Sequence, residues 1–347
     1  MPSPLRLGLI GCGKIVQMAH GPAYLEDKDA VTVVAIADPK EENKLWGRDF
    51  FGVPDKELYS NHQDMLASAD LDAVTIATPH SKHAEQVIAA ASAKVAILSE
   101  KPMATSLEEA DAILDAIELN AVPYGIVHNF LYTQSMQTAL RELEQLPDPF
   151  LGRTSGMTLK PTGFGPGHED SALAWRASKV AGGGCINDTA YHEIYSLQSL
   201  MRSPIRYVEA RVGTIRLDLD VDDIALLLCE HENGALSTME RSWCARSPNI
   251  HFCEVHTNEG SIWLNNRKDE PEGYRRSTAD GDWQTIELPS SRLTTHGTYF
   301  SESFNALAKG KRLPVTGDDG RSILAIIEAA RKASDVRKAV DLHEFRR

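Results

Sequence analysis

Short apolar segments alternate with longer amphipathic stretches along the first third of the chain. The apolar segments are rich in Val and Ile and too continuous for half-exposed strands, so they predict strands buried on both faces of a sheet. The predicted strands cover residues 5–10, 31–37, 73–77, 95–98 and 122–127. The predicted helices cover residues 14–25, 40–50, 82–91 and 107–119. This alternation predicts an α/β domain with a doubly wound parallel sheet over residues 1–123.

The pattern changes near residue 124, where strands begin to alternate polar and apolar positions. Alternation of this kind is typical of an antiparallel sheet with one covered face and one available face. Glu232-Asn233-Gly234 and Asn258-Glu259-Gly260 are hairpin signals between such strands. The predicted strands cover residues 152–160, 206–217, 224–231, 235–243, 251–257 and 261–264, with helices at 133–146, 297–309 and 321–338. We therefore predict an α+β domain over residues 124–347 with a large open, mostly antiparallel sheet.

Length and composition agree with a two-domain globular protein. The 347 residues exceed what one hydrophobic core usually supports. A net charge of -13 without a basic patch argues against a nucleic-acid partner. An open sheet face needs a cover, so we expect a homodimer or homotetramer formed through the second domain.

The cysteines and apolar segments predict a cytoplasmic location. The five cysteines are odd in number and form no C-x-x-C pair, which favours a reducing compartment and predicts no thiolate zinc site. No apolar run approaches 18 residues, and no secretory leader precedes the first strand. We expect a soluble protein with no membrane partner and no bound metal.

A glycine loop, Gly11-Cys12-Gly13, follows the first predicted strand and opens a helix. The first glycine permits a tight turn, and the second lets the backbone approach a pyrophosphate at the helix N-terminus. This context predicts a Rossmann-type dinucleotide site. The third small residue of the fingerprint is replaced by Val16, which predicts looser packing of the helix on the strand.

Asp38 ends the second predicted strand, 27 residues after Gly11. A carboxylate there accepts hydrogen bonds from the adenosine ribose and repels a 2′-phosphate, which favours NAD over NADP. Lys40 is the counter-argument, because its ammonium could pair with that phosphate. Asp38 could also cap the next helix, and both roles can hold at once.

Two further strand ends carry candidate chemistry. Thr78 and Pro79 follow the third strand and would let a dinucleotide lie across it, while His83 either lines the cofactor or is solvated in a helix's first turn. Lys101 follows the fourth strand within Glu100-Lys101-Pro102, where a side chain points into the crevice of a doubly wound sheet. The alternative is a surface lysine at a strand end. Pro102 fixes the direction of the lysine, and a cis peptide bond would be one way to do so.

A second cluster lies between residues 175 and 192. Trp175-Arg176 precedes the run Gly182-Gly183-Gly184, which permits close approach to a ligand. Asp188 and His192 are four residues apart and share one helical face. An imidazole oriented by a carboxylate is a proton acceptor near neutral pH, although a surface ion pair has the same spacing.

Taken in order, these motifs resemble the Gfo/Idh/MocA oxidoreductases, the glucose–fructose oxidoreductase and inositol dehydrogenase family. The matching motifs are Gly11-Cys12-Gly13-Lys14-Ile15, Ala37-Asp38-Pro39, Ala77-Thr78-Pro79, Glu100-Lys101-Pro102, His128-Asn129, Trp175-Arg176, and Gly182-Gly183-Gly184 with Asp188 and His192. Two positions depart from the family's pattern. Phe130-Leu131-Tyr132 stands where many members have an arginine, and Tyr191 stands where small residues are common.

The resemblance implies oxidation of a carbohydrate or cyclitol hydroxyl by a nicotinamide cofactor. It implies that Lys101 hydrogen-bonds the reacting oxygen and that His192 is the general base. Asp188 would orient His192 or bind a neighbouring hydroxyl. The implied cofactor-binding residues are Gly11, Gly13, Lys14, Ile15, Asp38, Thr78, Pro79, His83, Glu100, Lys101, Asn129, Trp175 and Arg176. The implied substrate-binding residues are Lys101, His128, Asn187, Asp188, Tyr191 and His192.

Two other activities use much the same residues. One is an NAD-dependent glycosidase or lyase, which oxidises its substrate transiently, eliminates a group and reduces the ketone again. The other is a non-catalytic NAD-binding regulator, and the retention of Lys101, Asp188 and His192 argues against it.

Overall fold

A computed structural model describes residues 4–159, 174–245, 250–265, 273–278, 281–288 and 291–347 of the chain. The chain divides into two compact units. The first runs to Val127 and also contains Arg292–Arg321, and the second contains His128–Ser291 and Ser322–Arg347. The assignment of residues 1–123 to the cofactor and 124–347 to the substrate remains a prediction.

Fifteen strands and nine α-helices lie within the described residues. The strands are β1 (Leu5–Ile10), β2 (Val31–Ala37), β3 (Leu58–Tyr59), β4 (Ala73–Ile76), β5 (Ala96–Ser99), β6 (Tyr124–Ile126), β7 (Leu151–Met157), β8 (Ile205–Gly213), β9 (Ile224–His231), β10 (Leu236–Ser242), β11 (Ile250–Thr257), β12 (Gly260–Leu264), β13 (Tyr274–Thr278), β14 (Gln284–Thr285) and β15 (Val340–Asp341). The helices are α1 (Gly21–Glu26), α2 (Glu41–Phe51), α3 (His62–Ser68), α4 (His83–Ser92), α5 (Leu107–Asn120), α6 (Gln134–Leu143), α7 (Tyr191–Met201), α8 (Thr295–Ala308) and α9 (Gly317–Val336). Single π-helical turns, Val16–His20 and Ile186–Ala190, precede α1 and α7.

The first unit contains a six-stranded parallel sheet in the order β3-β2-β1-β4-β5-β6. This confirms the predicted doubly wound sheet. The strand order reverses between β1 and β4, and such sheets bind ligands outside the carboxyl ends of the strands at that point. The sequence pattern missed β3 and α3, since a strand of two residues has no measurable periodicity.

The second unit contains a nine-stranded sheet in the order β14-β13-β12-β11-β7-β10-β9-β8-β15. Its pairs are antiparallel except for β7 with β10, which confirms the predicted large, mostly antiparallel sheet. The predicted hairpins join β9 to β10 and β11 to β12. Residue 160, the last of the strand predicted at 152–160, lies outside the described residues.

Helix α7 is the core helix of the second unit. Its buried residues contribute to two apolar clusters, one with β8 and β9 and one with α6, β11 and β12. A helix that is apolar on several faces is fixed by packing on several sides. This packing fixes the backbone of the segment that carries His192. No helix in the described ranges has both the length and the hydropathy needed to cross a membrane.

Candidate active site

The glycine loop of the first unit joins β1 to a π-helical turn. Gly11 has φ +87°, and a Cβ there would lie 2.6 Å from the carbonyl oxygen of Ala77, so only glycine fits. A Cβ on Gly13 would meet no atom within 4 Å. Val16 is fully buried within the π-helical turn. Position 11 therefore cannot hold a side chain, whereas the backbone at Gly13 is accessible to a ligand.

Asp38 connects the end of β2 to the glycine loop. Its Oδ2 accepts the backbone N–H of Cys12 at 2.8 Å and the side-chain amide of Asn43 at 3.0 Å. Its Oδ1 accepts the backbone N–H of Lys40 at 2.8 Å. The residue that caps α2 is Lys40, without a side-chain hydrogen bond, so the prediction that Asp38 caps this helix is wrong. Burial, with the nearby Asp38 charge, raises the pKa of the Cys12 thiol to about 12.

His83 is fully buried, so the prediction of a solvated residue is wrong. Its Nδ1 lies 2.7 Å from the carbonyl oxygen of Pro102, and its Nε2 lies 2.9 Å from that of Thr78. Burial lowers the pKa of His83, although both carbonyls favour its protonated form. The ring thus joins the loops after β4 and β5. The Thr78 hydroxyl donates to Gln86 Oε1 at 2.6 Å.

Lys101 is buried just beyond the carboxyl end of β5, with 9% of its surface exposed. The Lys101–Pro102 peptide bond is cis. The carboxylate of Glu100 accepts the backbone N–H of Lys101 at 3.2 Å. The alternative of a surface lysine is therefore wrong, and Lys101 has a fixed backbone.

Glu100 is held as a carboxylate by its neighbours. Its Oε1 lies 2.7 Å from His20 Nε2. Burial opposes ionisation, but the hydrogen bond to His20 and the charges of His20, His296 and Lys101 lower the pKa of Glu100 to about 2. Burial and the neighbouring His20 lower the pKa of His296 to about 4, against the attraction of Glu100.

His20, Glu100 and His296 also offer a donor set that zinc or iron would accept. Among the residues that the structure describes, these three have ligand atoms within 4.8 Å of one another. The carboxylate already binds a histidine and a backbone N–H, and Lys101 adds a positive charge beside it. We interpret the group as a hydrogen-bonded carboxylate; the expected absence of a metal remains a prediction.

In the second unit, Trp175 and Arg176 lie in a single 3₁₀ turn, Ala174–Ala177. The guanidinium of Arg176 lies 4.7 Å from the centre of the Trp175 ring. It also forms an ion pair with Asp188, whose side chain is 1% exposed. A Cβ on Gly183 would overlap the carbonyl oxygen of Arg176, which explains a glycine at this position.

Asn187 fixes the glycine turn in place. Its amide nitrogen is 3.3 Å from the carbonyl oxygen of Gly182 and 3.4 Å from that of Gly183. Its amide oxygen accepts from Arg331 at 3.3 Å. A part in substrate binding remains a prediction for this residue.

His192 lies in the first turn of α7, directly after the second π-helical turn. Its Nδ1 is 2.8 Å from the hydroxyl of Tyr195. The ring of Phe130 stacks on the imidazole at a centroid distance of 4.2 Å. Sequence reasoning missed both contacts; the spacing of three residues between His192 and Tyr195 was the one available signal.

His128 is buried against the same helix. Its Nε2 is 3.1 Å from the hydroxyl of Tyr191, and its ring stacks on Tyr195 at 4.3 Å. Asn129 follows as the buried first residue of a 3₁₀ turn. Lys14, Ile15 and Pro79 are exposed beside the loops of the first unit. The binding and catalytic roles of all these residues remain predictions.

Comparison with known proteins identifies the class. Residues 5–128 match the oxidoreductase family with an NAD-binding Rossmann fold, and residues 150–263 match the GFO/IDH/MocA C-terminal domain. The chain therefore belongs to the Gfo/Idh/MocA family and is an NAD(P)-dependent oxidoreductase with an N-terminal Rossmann domain.

Individual relatives resemble the chain over nearly its whole length. Levoglucosan dehydrogenase of Pseudarthrobacter phenanthrenivorans is 27% identical, covering 95% of this chain and 97% of that protein. The scyllo-inositol 2-dehydrogenase (NADP(+)) of Bacillus subtilis is 22% identical, covering 97% and 96%. A solved structure of levoglucosan dehydrogenase, in complex with NADH and levoglucosan, is 25% identical with a TM-score of 0.87, covering 98% and 100%.

Proposed function

We propose that this protein is an NAD-dependent dehydrogenase that oxidises a hydroxyl carbon of a sugar or cyclitol, or catalyses the reverse reduction. The proposal is supported by the family and by relatives named for levoglucosan and scyllo-inositol. The single observation that carries it is the position of Lys101. This buried lysine follows a parallel strand at the ligand-binding edge of a Rossmann-type sheet.

Lys101 donates a hydrogen bond to the reacting oxygen and favours loss of its proton during oxidation. Glu100 keeps a negative charge beside this lysine over the whole physiological pH range, because its pKa is about 2. The backbone of the lysine is held by Glu100, and the carbonyl of Pro102 is held by His83. These contacts keep the ammonium oriented while substrate binds and leaves.

His192 takes the proton from the substrate hydroxyl in oxidation and returns it in reduction. Asp188, already paired with Arg176, binds a neighbouring hydroxyl or orients the imidazole. A nicotinamide held at this site would supply the hydride-transfer chemistry, which the side chains cannot perform.

The glycine loop and Asp38 fit an adenine dinucleotide. Gly13 leaves room for a pyrophosphate against the backbone. Asp38 is 5% exposed, and its carboxylate accepts three hydrogen bonds that fix its position at the end of β2, where a ribose hydroxyl would donate to it. Its negative charge repels a 2′-phosphate, so we propose NAD as the preferred cofactor.

The cofactor preference is tested with Asp38→Asn. The amide keeps the size of the side chain but removes the negative charge. We expect the ratio of kcat/KM for NAD to that for NADP to fall about tenfold or more, which corresponds to about 1.4 kcal/mol. Lys40→Gln is the matched control, and it should lower activity with NADP only. A parent enzyme that prefers NADP would contradict the assignment.

The reaction class is tested with a panel of sugars, polyols, inositols and aryl glycosides. NADH absorbance and aglycone release are followed in the same samples. Net NADH formation supports the dehydrogenase. Aglycone release without net NADH identifies a glycosidase that oxidises its substrate transiently, and tight NAD binding without any turnover identifies a regulator.

We also propose a homodimer or homotetramer formed through the outer face of the second unit's sheet. Leu226, Leu228 and Leu236 are 41%, 47% and 46% exposed on adjacent strands of this sheet. Exposed apolar groups of this kind are typical of interfaces. Leu228→Lys should shift the mass measured by light scattering towards the monomer, and a monomeric parent protein would refute the proposal.

A cytoplasmic location is proposed from the cysteines. All five are free thiols, and four of them are buried. Free thiols are typical of a reducing compartment. Fractionation of cells with an antibody to the protein tests this, and recovery outside the cytoplasm would contradict it.

A further inference from the structure

The hydroxyl of Tyr195 makes two hydrogen bonds near the proposed general base. It lies 2.8 Å from Nδ1 of His192 and accepts the backbone N–H of Phe130 at 3.0 Å. Tyr195 itself is 2% exposed. The family resemblance assigned it no role, although it is a described hydrogen-bond partner of the His192 imidazole.

Aromatic packing fixes both rings of the pair. The Tyr195 ring lies parallel to that of His128, with an interplanar angle of 6° and a centroid distance of 4.3 Å. The Phe130 ring stacks on the His192 ring, with an interplanar angle of 21°. Because each ring has a stacked neighbour, neither can rotate freely away from the hydrogen bond between them. The relative position of the hydroxyl and Nδ1 is therefore determined by packing.

The hydrogen bond couples the tyrosine to the protonation of His192. A neutral imidazole carries one proton, and the partner of one nitrogen selects which nitrogen holds it. The N–H of Phe130 can only donate, so it occupies one lone pair of the Tyr195 oxygen. The oxygen keeps a second lone pair, which can accept the proton of Nδ1 at 2.8 Å; in the opposite tautomer, the phenol O–H would donate to Nδ1 instead.

We propose that Tyr195 is a positioning residue that holds His192 as the Nδ1–H tautomer, so that Nε2 is the atom that exchanges the proton with substrate. The inference rests on the proposed role of His192 as the general base. In oxidation, the O–H bond of the substrate breaks and an Nε2–H bond forms, while the hydride leaves the carbon for the nicotinamide. The imidazolium keeps its Nδ1–H bond to the phenol oxygen, and reduction reverses each transfer.

A neutral hydroxyl suits this task. The imidazolium forms only when the substrate gives up its proton, and a phenol oxygen accepts the Nδ1–H in both states of the ring. Tyr195 therefore keeps the same hydrogen bond through the proton transfer, and no charge has to move to it. Helix α7 supplies both residues, since positions 192 and 195 are three residues apart and are neighbours on the helix surface.

The test is Tyr195→Phe, read by ¹⁵N NMR of histidine-labelled protein. Long-range ¹H–¹⁵N spectra distinguish a protonated ring nitrogen from an unprotonated one, and a spectrum of His192→Gln assigns the signal among the twelve histidines. In the parent protein, we expect Nδ1 protonated and Nε2 unprotonated at a pH where the ring is neutral. In Tyr195→Phe, we expect both signals to move towards the average of the two tautomers. An Nε2–H tautomer in the parent, or an unchanged signal in the variant, would overturn the proposal.

Tyr191→Phe is the matched control for the NMR measurement. Tyr191 lies on the same helix, is fully buried and bonds to a histidine, but that histidine is His128. Loss of the Tyr191 hydroxyl should change the NMR signal of His128 and leave the tautomer of His192 unchanged. If both variants changed His192 equally, the effect would come from general loss of packing, and the proposal would fail.

Kinetics separates this inference from the proposed function. Tyr195→Phe should lower kcat about 10–100-fold while KM changes less than about threefold, because the ring remains and only its orientation of His192 is lost. A correct tautomer shift with unchanged kcat would contradict the role of His192 as base, but not the tautomer assignment. If Tyr195→Phe did not fold, the spectrum of the parent protein alone would still decide the tautomer.

Discussion

In the first unit, the candidate residues follow the ends of parallel strands, whereas in the second unit they lie around one buried helix. The first group is held by hydrogen bonds that involve the backbone or a charged carboxylate, as for Asp38, His83 and Glu100. The second group is held by stacked rings and hydroxyls, as for His192 and Tyr195. The comparison shows that hydrogen bonds to backbone and carboxylate groups fix the candidate residues of the first unit, while stacked rings and hydroxyls fix the proposed general base of the second.

The largest expected effect concerns the chemistry of the first unit. Lys101→Ala should lower kcat about 1000-fold, since it removes the proposed donor to the reacting oxygen. NAD affinity, measured by calorimetry, should change little. Lys82→Ala is the control, because Lys82 lies on the same unit with its side chain 59% exposed. A kcat within threefold of the parent value would remove Lys101 from the mechanism.

The next effect concerns the support of α7 in the second unit. Arg241 is almost fully buried and donates to Glu193 at 3.0 Å and to Thr189 at 3.0 Å. Arg241→Met removes the guanidinium from the buried carboxylate of Glu193 and should lower the free energy of unfolding by about 3–5 kcal/mol, measured in urea. Arg153→Met, on the same sheet, should lower it by about 1 kcal/mol or less, because Arg153 is 58% exposed in its pair with Glu254. Equal losses of unfolding free energy in the two variants would show that burial does not determine how much each ion pair contributes to stability.

The pH dependence of stability sharpens the comparison, because the first unit holds a partly buried histidine with a depressed pKa. The pKa of His296 is about 4 in the folded protein against 6.5 when unperturbed, so the unfolded state binds more protons between these values. Stability should fall by about 3 kcal/mol as pH drops from 6.5 to 4.

His296→Gln should flatten the dependence measured by thermal unfolding across this interval. Glu100 contributes at lower pH, between 4.5 and about 2, because its depressed pKa stabilises the fold above that range. An unchanged slope in His296→Gln would exclude this histidine as the cause.

The smallest effect distinguishes two costs of replacing a glycine in the first unit. One is backbone strain at a positive φ, and the other is a steric clash of the new Cβ with neighbouring atoms. Gly11 and Gly52 both have positive φ, at +87° and +75°, but only Gly11 has atoms near its Cβ position. Gly52→Ala should lower the free energy of unfolding by about 1–2 kcal/mol through strain alone. Gly11→Ala should cost about 1–3 kcal/mol more and weaken NAD binding, because its methyl group meets the carbonyl of Ala77. Equal melting temperatures for Gly11→Ala and Gly52→Ala would contradict the predicted clash between the Cβ at position 11 and the carbonyl of Ala77.

The sequence by itself determined the parallel sheet, the glycine loop, Asp38 and the position of Lys101. These features are local: continuous apolar segments predict buried strands, and a parallel sheet brings their carboxyl ends to one edge. The sequence also predicted the two hairpins, since their turn residues are adjacent in the chain. The short strand β3 and helix α3 were missed, because they are too brief to show a period.

Only the tertiary structure decided which groups surround the predicted residues. His20 and Glu100 are 80 residues apart, and Phe130 and Tyr195 are 65 apart, yet each pair is joined by a hydrogen bond. Periodicity describes which face of an element is buried but not which side chain from another element meets it. The partner of His192 Nδ1 and the charge state of Glu100 therefore follow from packing and burial, which arise only when the chain is folded.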